Sequence, residues 1–286
     1  MTEIEEETPE YGDLPAPQPL PEGWLRRWPF ATFLLPMVVF MLVTTLEPTP
    51  DSKPKAKEQA SAETQADENS LDSLPVETAD ALIPYRYYPV IYTLKVALVI
   101  ATMIAVWPGY RTFPLKVSPL AFVVGVVGIV LWIALCKLDL EVALLKPIGL
   151  GWLVESGTRS AYNPLEELAD NPLWAYGFLV VRFIGLAVLV PIFEEFFLRG
   201  LAMRFVVDDR FERVPFGYVT PAAIVAGTAI PMLMHPGELL AAFVWFSLVT
   251  WLMIRTKNIW DCVVAHAVTN FLLGVYVVKT GEWWFM

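Results

Sequence analysis

The chain has little to build a disulfide framework or a soluble surface with. It holds two cysteines in 286 residues, Cys136 and Cys262. Both fall in apolar stretches, which argues against a disulfide scaffold. Charged residues make up 17% of the chain, against about 25% in an ordinary soluble domain. Histidine is scarcer still, with only His235 and His266. What fills the space is apolar: 56% hydrophobic residues and a mean hydropathy of +0.52. With several long apolar runs, that composition excludes a soluble globular domain and predicts a polytopic membrane protein. The net charge of -10 arises largely from acids near the N-terminus and between Glu47 and Asp80, so no nucleic acid partner is expected. The Glu- and Pro-rich segment Met1–Pro21 lacks the charged region and cleavage site of a signal peptide, and none is expected.

A spanning helix needs roughly 20 apolar residues. Candidates are Phe30–Leu46, Val90–Val106, Val117–Cys136, Leu173–Phe193 or a later frame near Arg182–Arg204, Ala222–Met234, Leu239–Ile254 and Ile259–Val278. Leu140–Val154, with Lys146 and Pro147, reads as interfacial or as a broken further helix. The expected fold is therefore all-α, a transmembrane bundle of about seven to eight helices. Residues 1–29 are expected to form a cytoplasmic tail, 30–46 the first span, 47–89 an acidic extramembrane loop that is disordered by composition, and 90–286 the bundle. Arg26, Arg27, Arg111, Lys116, Arg204, Arg210, Arg213, Arg255 and Lys257 alternate along the chain as a cytoplasmic N-terminus requires. Arg182 and Lys95, near helix ends, are expected to snorkel toward water.

The most apolar half also carries ionisable groups. Glu194 and Glu195 are followed by Arg199 inside the run Pro191–Gly200. His235 ends an apolar segment, and His266 precedes Asn270 by one helical turn. Charges are expensive in lipid and usually mark a functional site there. Residues four apart share a helix face, so Glu195 can hold Arg199 while Glu194, rotated by about 100°, faces another partner. Such a set suits amide hydrolysis. A desolvated carboxylate is a stronger base toward water, and histidine or asparagine can donate to the developing oxyanion. The sequence contains neither a nucleophile elbow nor a His-Glu-x-x-His pair.

These motifs, in this order, resemble the CPBP intramembrane proteases, the CAAX prenyl endopeptidases and bacteriocin-processing enzymes. The closing stretch from Arg255 through His266 and Asn270 to Gly281-Glu-Trp-Trp-Phe is similar to the CAAX prenyl protease-related subgroup found beside exosortase and PEP-CTERM systems. The resemblance covers about Leu173 to the C-terminus. It implies a helical membrane fold with a polar catalytic cavity, a membrane-protein or peptide substrate, and location in a bacterial inner membrane. It also implies roles: Glu194 activating water, Glu195 supporting the site with Arg199, His235 sharing the water, and His266 with Asn270 stabilising the oxyanion. It leaves open a zinc ion held by Glu194, His235 and His266, and equally a metal-free use of the same residues. Pro231 stands where the family usually has phenylalanine, four residues before His235.

Plainer readings compete. Glu195 and Arg199 could be a structural ion pair, His235 a helix-end histidine satisfied by backbone before Pro236-Gly237, and His266 with Asn270 an interhelical hydrogen-bonding pair. Cys262 reads as a small buried thiol. Glu166-Glu167 reads as a helix start behind Asn163 and Pro164, and Asp261 as a helix-dipole partner. Two other function classes stay open: a non-catalytic membrane chaperone or immunity scaffold, and a proton-coupled transporter, against which the lack of inverted repeats counts.

Overall fold

The computed structural model describes residues 16–48, 83–138, 140–151 and 161–286. Most of the acidic loop and the first half of the N-terminal tail lie outside these residues. Among the described residues the fold is all-helical, without a strand. In order the helices are α1 (Trp24–Arg27), α2 (Ala31–Thr44), α3 (Tyr88–Tyr110), α4 (Pro119–Cys136), α5 (Leu140–Leu145), α6 (Pro164–Glu167), α7 (Pro172–Val207), α8 (Pro221–Met234), α9 (Leu239–Thr256) and α10 (Ile259–Thr280). Five helical segments are long and apolar enough to cross a membrane: Tyr85–Tyr110, Pro119–Cys136, Pro172–Val207, Pro236–Thr256 and Ile259–Thr280. Helices α2 and α8 are apolar but shorter. The seven apolar segments expected from sequence are all present.

Sequence chemistry fixes several boundaries. Thr220 accepts from the backbone of Ala223, with Pro221 at the first helical position. Asn258 accepts from Trp260 and opens α10, Asn171 accepts from Trp174 and opens α7, and Asn163 accepts from Leu165. Each side chain satisfies an orphan donor at a helix start. In α7 the two competing frames prove to be one 36-residue helix. It is continuous because its backbone widens to π geometry at Gly185–Leu189 and Phe196–Ala202, on either side of the glutamate pair. Helix α8 runs through Pro231 to Met234.

In lipid, helices associate through close packing of small residues, since burial against lipid gains little. Gly125 and Gly128 on α4 supply that contact. A Cβ on Gly125 would lie 2.7 Å from the carbonyl oxygen of Ala265, and one on Gly128 would collide with the Trp245 ring. Thr269 Oγ1 donates to the Gly125 carbonyl at 2.8 Å, tying α10 to α4. Gly125→Ala is therefore expected to force α4 and α10 apart and to cost about 1–3 kcal/mol, read as a lower midpoint in detergent-denaturation titration of the folded fraction.

One end of the bundle collects the basic residues. Phe30 and Phe211 rings pack at 4.9 Å, Asn258 Nδ2 donates to the Lys116 carbonyl at 2.6 Å, and Gly217 lies against Lys257. Asp261 stands in the first turn of α10, as expected of a helix-dipole partner; it is also buried, and its carboxylate accepts from Ser118 N at 2.7 Å and Ser118 Oγ at 2.9 Å. It joins α10 to the start of α4. The opposite end carries Lys137, whose Nζ donates to Glu282 Oε1 at 2.9 Å, while Tyr276 Oη donates to Oε2 at 2.7 Å. The hydrogen bond from Lys137, then that from Tyr276, holds the Glu282 carboxyl below its usual range. A depressed carboxylate contributes order above its unfolded value and loses it as pH falls through the folded one. Protection of the Phe285 and Met286 amides, relative to their intrinsic exchange rate at each pH, is thus expected to stay constant from neutral pH down to the usual carboxylate range. It should fall only at more acid pH, and Glu282→Gln should remove that step.

One correction concerns Lys95 and Arg182. Neither reaches water: they are 3% and 2% exposed. Each is held by aromatic faces and by acceptors inside the bundle.

Candidate active site

Glu194 and Glu195 sit at the end of the α-helical turn between the two π segments of α7. Glu195 and Arg199 are completely buried, Glu194 is 7% exposed and His266 is 4% exposed. Arg199 Nη1 lies 3.0 Å from Glu195 Oε2, the pairing expected from the four-residue spacing. Arg199 Nη2 also donates to the Phe246 carbonyl at 3.2 Å, and the guanidinium sits 5.5 Å from that ring. Helix α9 thereby fixes the arginine.

The other Glu195 oxygen, Oε1, lies 2.9 Å from His266 Nδ1. This contact was not legible from spacing, because it joins residues 71 apart on α7 and α10. It orients the imidazole so that Nε2 lies 3.9 Å from Glu194 Oε2. The result is a line of groups: Arg199, Glu195, His266 and then Glu194, the first three in contact and the last across a short gap. A carboxylate on one ring nitrogen sets the histidine's orientation.

His235 enters from the end of α8. Its Nδ1 contacts the Pro231 carbonyl at 2.9 Å, and its ring packs 5.5 Å from Phe246 and 5.7 Å from Trp132. Proline at 231 frees no N–H of its own to the helix, but its carbonyl holds the histidine ring. Phe246 also touches His266, at 6.3 Å, so the two histidines lie against one shared ring. Asn270 is half-buried and donates from Nδ2 to the Leu186 carbonyl at 2.9 Å. Leu186 lies in the first π segment, and that wider backbone presents its carbonyl sideways. Asn270 thus locks α10 to α7 one turn beyond His266.

Among the described residues, no three His, Cys, Asp or Glu side chains come together as a metal-ion donor set. Glu194 and His266 face each other, but His235 is not gathered with them as a third ligand. As arranged, the described residues do not fit a three-donor zinc site. Cys262 is a buried thiol directed at the Asn258 carbonyl, 3.7 Å away. Glu166 and Glu167 form the first turn of α6 behind their Asn163 cap and stand apart from the site.

Residues 176–272 match the family model described as type II CAAX prenyl endopeptidase Rce1-like. This segment is similar to the CAAX-protease family. The matched stretch contains Glu194, Glu195, Arg199, His235, His266 and Asn270, all six candidates named from sequence. It covers roughly a third of the chain. No curated protein and no solved structure matches the chain. Helices outside the matched segment pack against it, since α4 supplies Trp132 against His235 and the glycines against α10.

Proposed function

We propose that this protein is an intramembrane endopeptidase that hydrolyses a peptide bond near the membrane-associated C-terminus of a protein substrate. The observation that carries this reading is the buried line Arg199–Glu195–His266 with Glu194 facing its open end. A structural ion pair needs only Glu195 and Arg199. It gives no reason for a second buried carboxylate opposite the free nitrogen of an oriented histidine.

In this mechanism Glu194 takes a proton from water as the water oxygen attacks the scissile carbonyl carbon. The carbonyl oxygen becomes an oxyanion, and donors from the His266 and Asn270 side of the site stabilise it; Asn270 has a second N–H beyond the one spent on Leu186. Collapse breaks the C–N bond, the proton returns from Glu194 to the leaving amine, and a carboxylate and an amine result. Glu195 and Arg199 act through His266, holding its ring. His235 lines the same site and shares the water. The basic end of the bundle, with Arg204, Arg210, Arg213, Arg255 and Lys257, is the cytoplasmic one in this reading. The N-terminus lies there too, in a bacterial inner membrane, and the substrate is a membrane protein such as one bearing an exosortase-type sorting signal.

The test uses the purified full chain in lipid vesicles with a library of membrane-tethered peptides ending in free carboxylates. Short C-terminal fragments are expected with the native protein and not with His266→Ala. Release of the same fragments by both proteins would refute the assignment.

A further inference from the structure

A second polar cluster lies away from the glutamates, where α2, α3 and α7 meet. Arg182 on α7 is 2% exposed. Its Nη1 donates to the Tyr162 carbonyl at 2.6 Å, and its guanidinium carbon lies 6.0 Å from the Tyr88 ring and 5.9 Å from the Trp283 ring. A guanidinium carries five N–H donors. Among the described residues Arg182 makes that one hydrogen bond and no ion pair.

Lys95 on α3, equally buried, is satisfied differently. It pairs with the Glu47 carboxylate, donates to Thr44 Oγ1 at 3.3 Å, and lies 4.4 Å from the Phe40 ring and 4.6 Å from the Tyr92 ring. Tyr88 and Tyr92 pack at 6.0 Å and join the two cations. The Tyr92 hydroxyl reaches α7 at Gly185, where a Cβ would collide with it. Among the described residues it makes no hydrogen bond.

Among the described residues the buried part of the cluster therefore holds two cations and one carboxylate. A buried charge without a counter-charge is strongly destabilising, and aromatic faces offset only part of that cost. We propose that Arg182, with Tyr92 and Lys95, binds a phosphate group. The planar fork of arginine matches two oxygens of a phosphate, the phenol supplies a third donor, and the ammonium a nearby point charge. Once Glu47 has neutralised Lys95, one positive charge remains, which equals the single negative charge of a phosphodiester. The setting is that of a bilayer interface: Tyr85, Tyr88, Tyr92, Tyr162 and Trp283 gather at this end, as amphipathic rings do at headgroup depth. On the outer face of α7, Leu173, Tyr176 and Val180 are exposed. The phosphate of a phospholipid headgroup meets both conditions, and a free phosphate ion would meet the first.

The experiment measures thermal unfolding of the full chain purified in a phosphate-free detergent, with phosphatidylglycerol or inorganic phosphate added in separate arms. A ligand that binds the folded state raises Tm with its concentration. Phosphatidylglycerol is expected to raise Tm in the native protein and not in Arg182→Gln. A rise with inorganic phosphate alone would support the phosphate site and assign it to the free ion. No rise in either arm, or an equal rise in Arg182→Gln, would overturn it. Should Arg182→Gln fail to fold, Tyr92→Phe decides, because among the described residues the Tyr92 hydroxyl makes no hydrogen bond. Its unliganded Tm should match the native value and its ligand-induced rise should shrink, whereas an unchanged rise would overturn the proposal.

Discussion

Glu194→Gln is expected to lower peptide hydrolysis by about a hundred- to ten-thousand-fold, the range that a positioned general base contributes. The substitution keeps the side chain's shape, but it replaces one acceptor oxygen by an NH2 donor and removes the basic lone pair that takes the proton from water. Glu194 is not in the Arg199–Glu195 ion pair and does not touch the His266 nitrogen that Glu195 holds. The buried line should therefore persist, and the variant should keep native helicity and detergent stability. The loss should fall on kcat, with KM little changed, because substrate binding does not need the base. Steady-state kinetics beside a denaturation titration would check both halves. A parallel loss of folding would mean that Glu194 is structural.

Arg199→Met is expected to show the opposite pattern, with stability as the primary loss. Arg199 is completely buried, balances the equally buried Glu195 and donates to the Phe246 carbonyl. Removing one member of a buried pair leaves an uncompensated charge and costs about 3–5 kcal/mol. Replacing both, as Glu195→Leu with Arg199→Met, removes both desolvation costs and should recover a substantial part of that loss. Hydrolysis should not recover, because His266 would lose the carboxylate that sets its ring. Detergent-denaturation midpoints of the two single variants and the double variant give the coupling. Additive losses would contradict the pairing.

Much of the bundle was legible because lipid enforces a simple rule, one apolar run for one helix. The caps at Asn258 and Thr220 and the face shared by Glu195 and Arg199 are short-range, and they follow from the order of residues alone. The long α7 was harder to bound, since hydropathy does not signal a backbone widening at Gly185–Leu189 or Phe196–Ala202. Contacts between helices were out of reach for the same reason. Nothing in the spacing of Glu195 and His266 says that they touch, or that Asn270 turns to the Leu186 carbonyl. Arg182 and Lys95 were misplaced because a cation near a helix end has two outcomes, snorkelling to water or burial among partners. The partners, Tyr162, Tyr88 and Glu47, are distant in sequence.

The most direct test of Glu194-dependent proteolysis is terminal-peptide proteomics on membrane proteins. Cells carrying the native chain would be compared with cells carrying Glu194→Ala at matched abundance. The mechanism predicts a defined set of processed C-termini that disappears in the variant, with the uncleaved C-terminal peptides appearing in its place. Identical termini in both strains, alongside a phenotype that depends on Glu194, would contradict proteolysis and leave the buried carboxylates a different task.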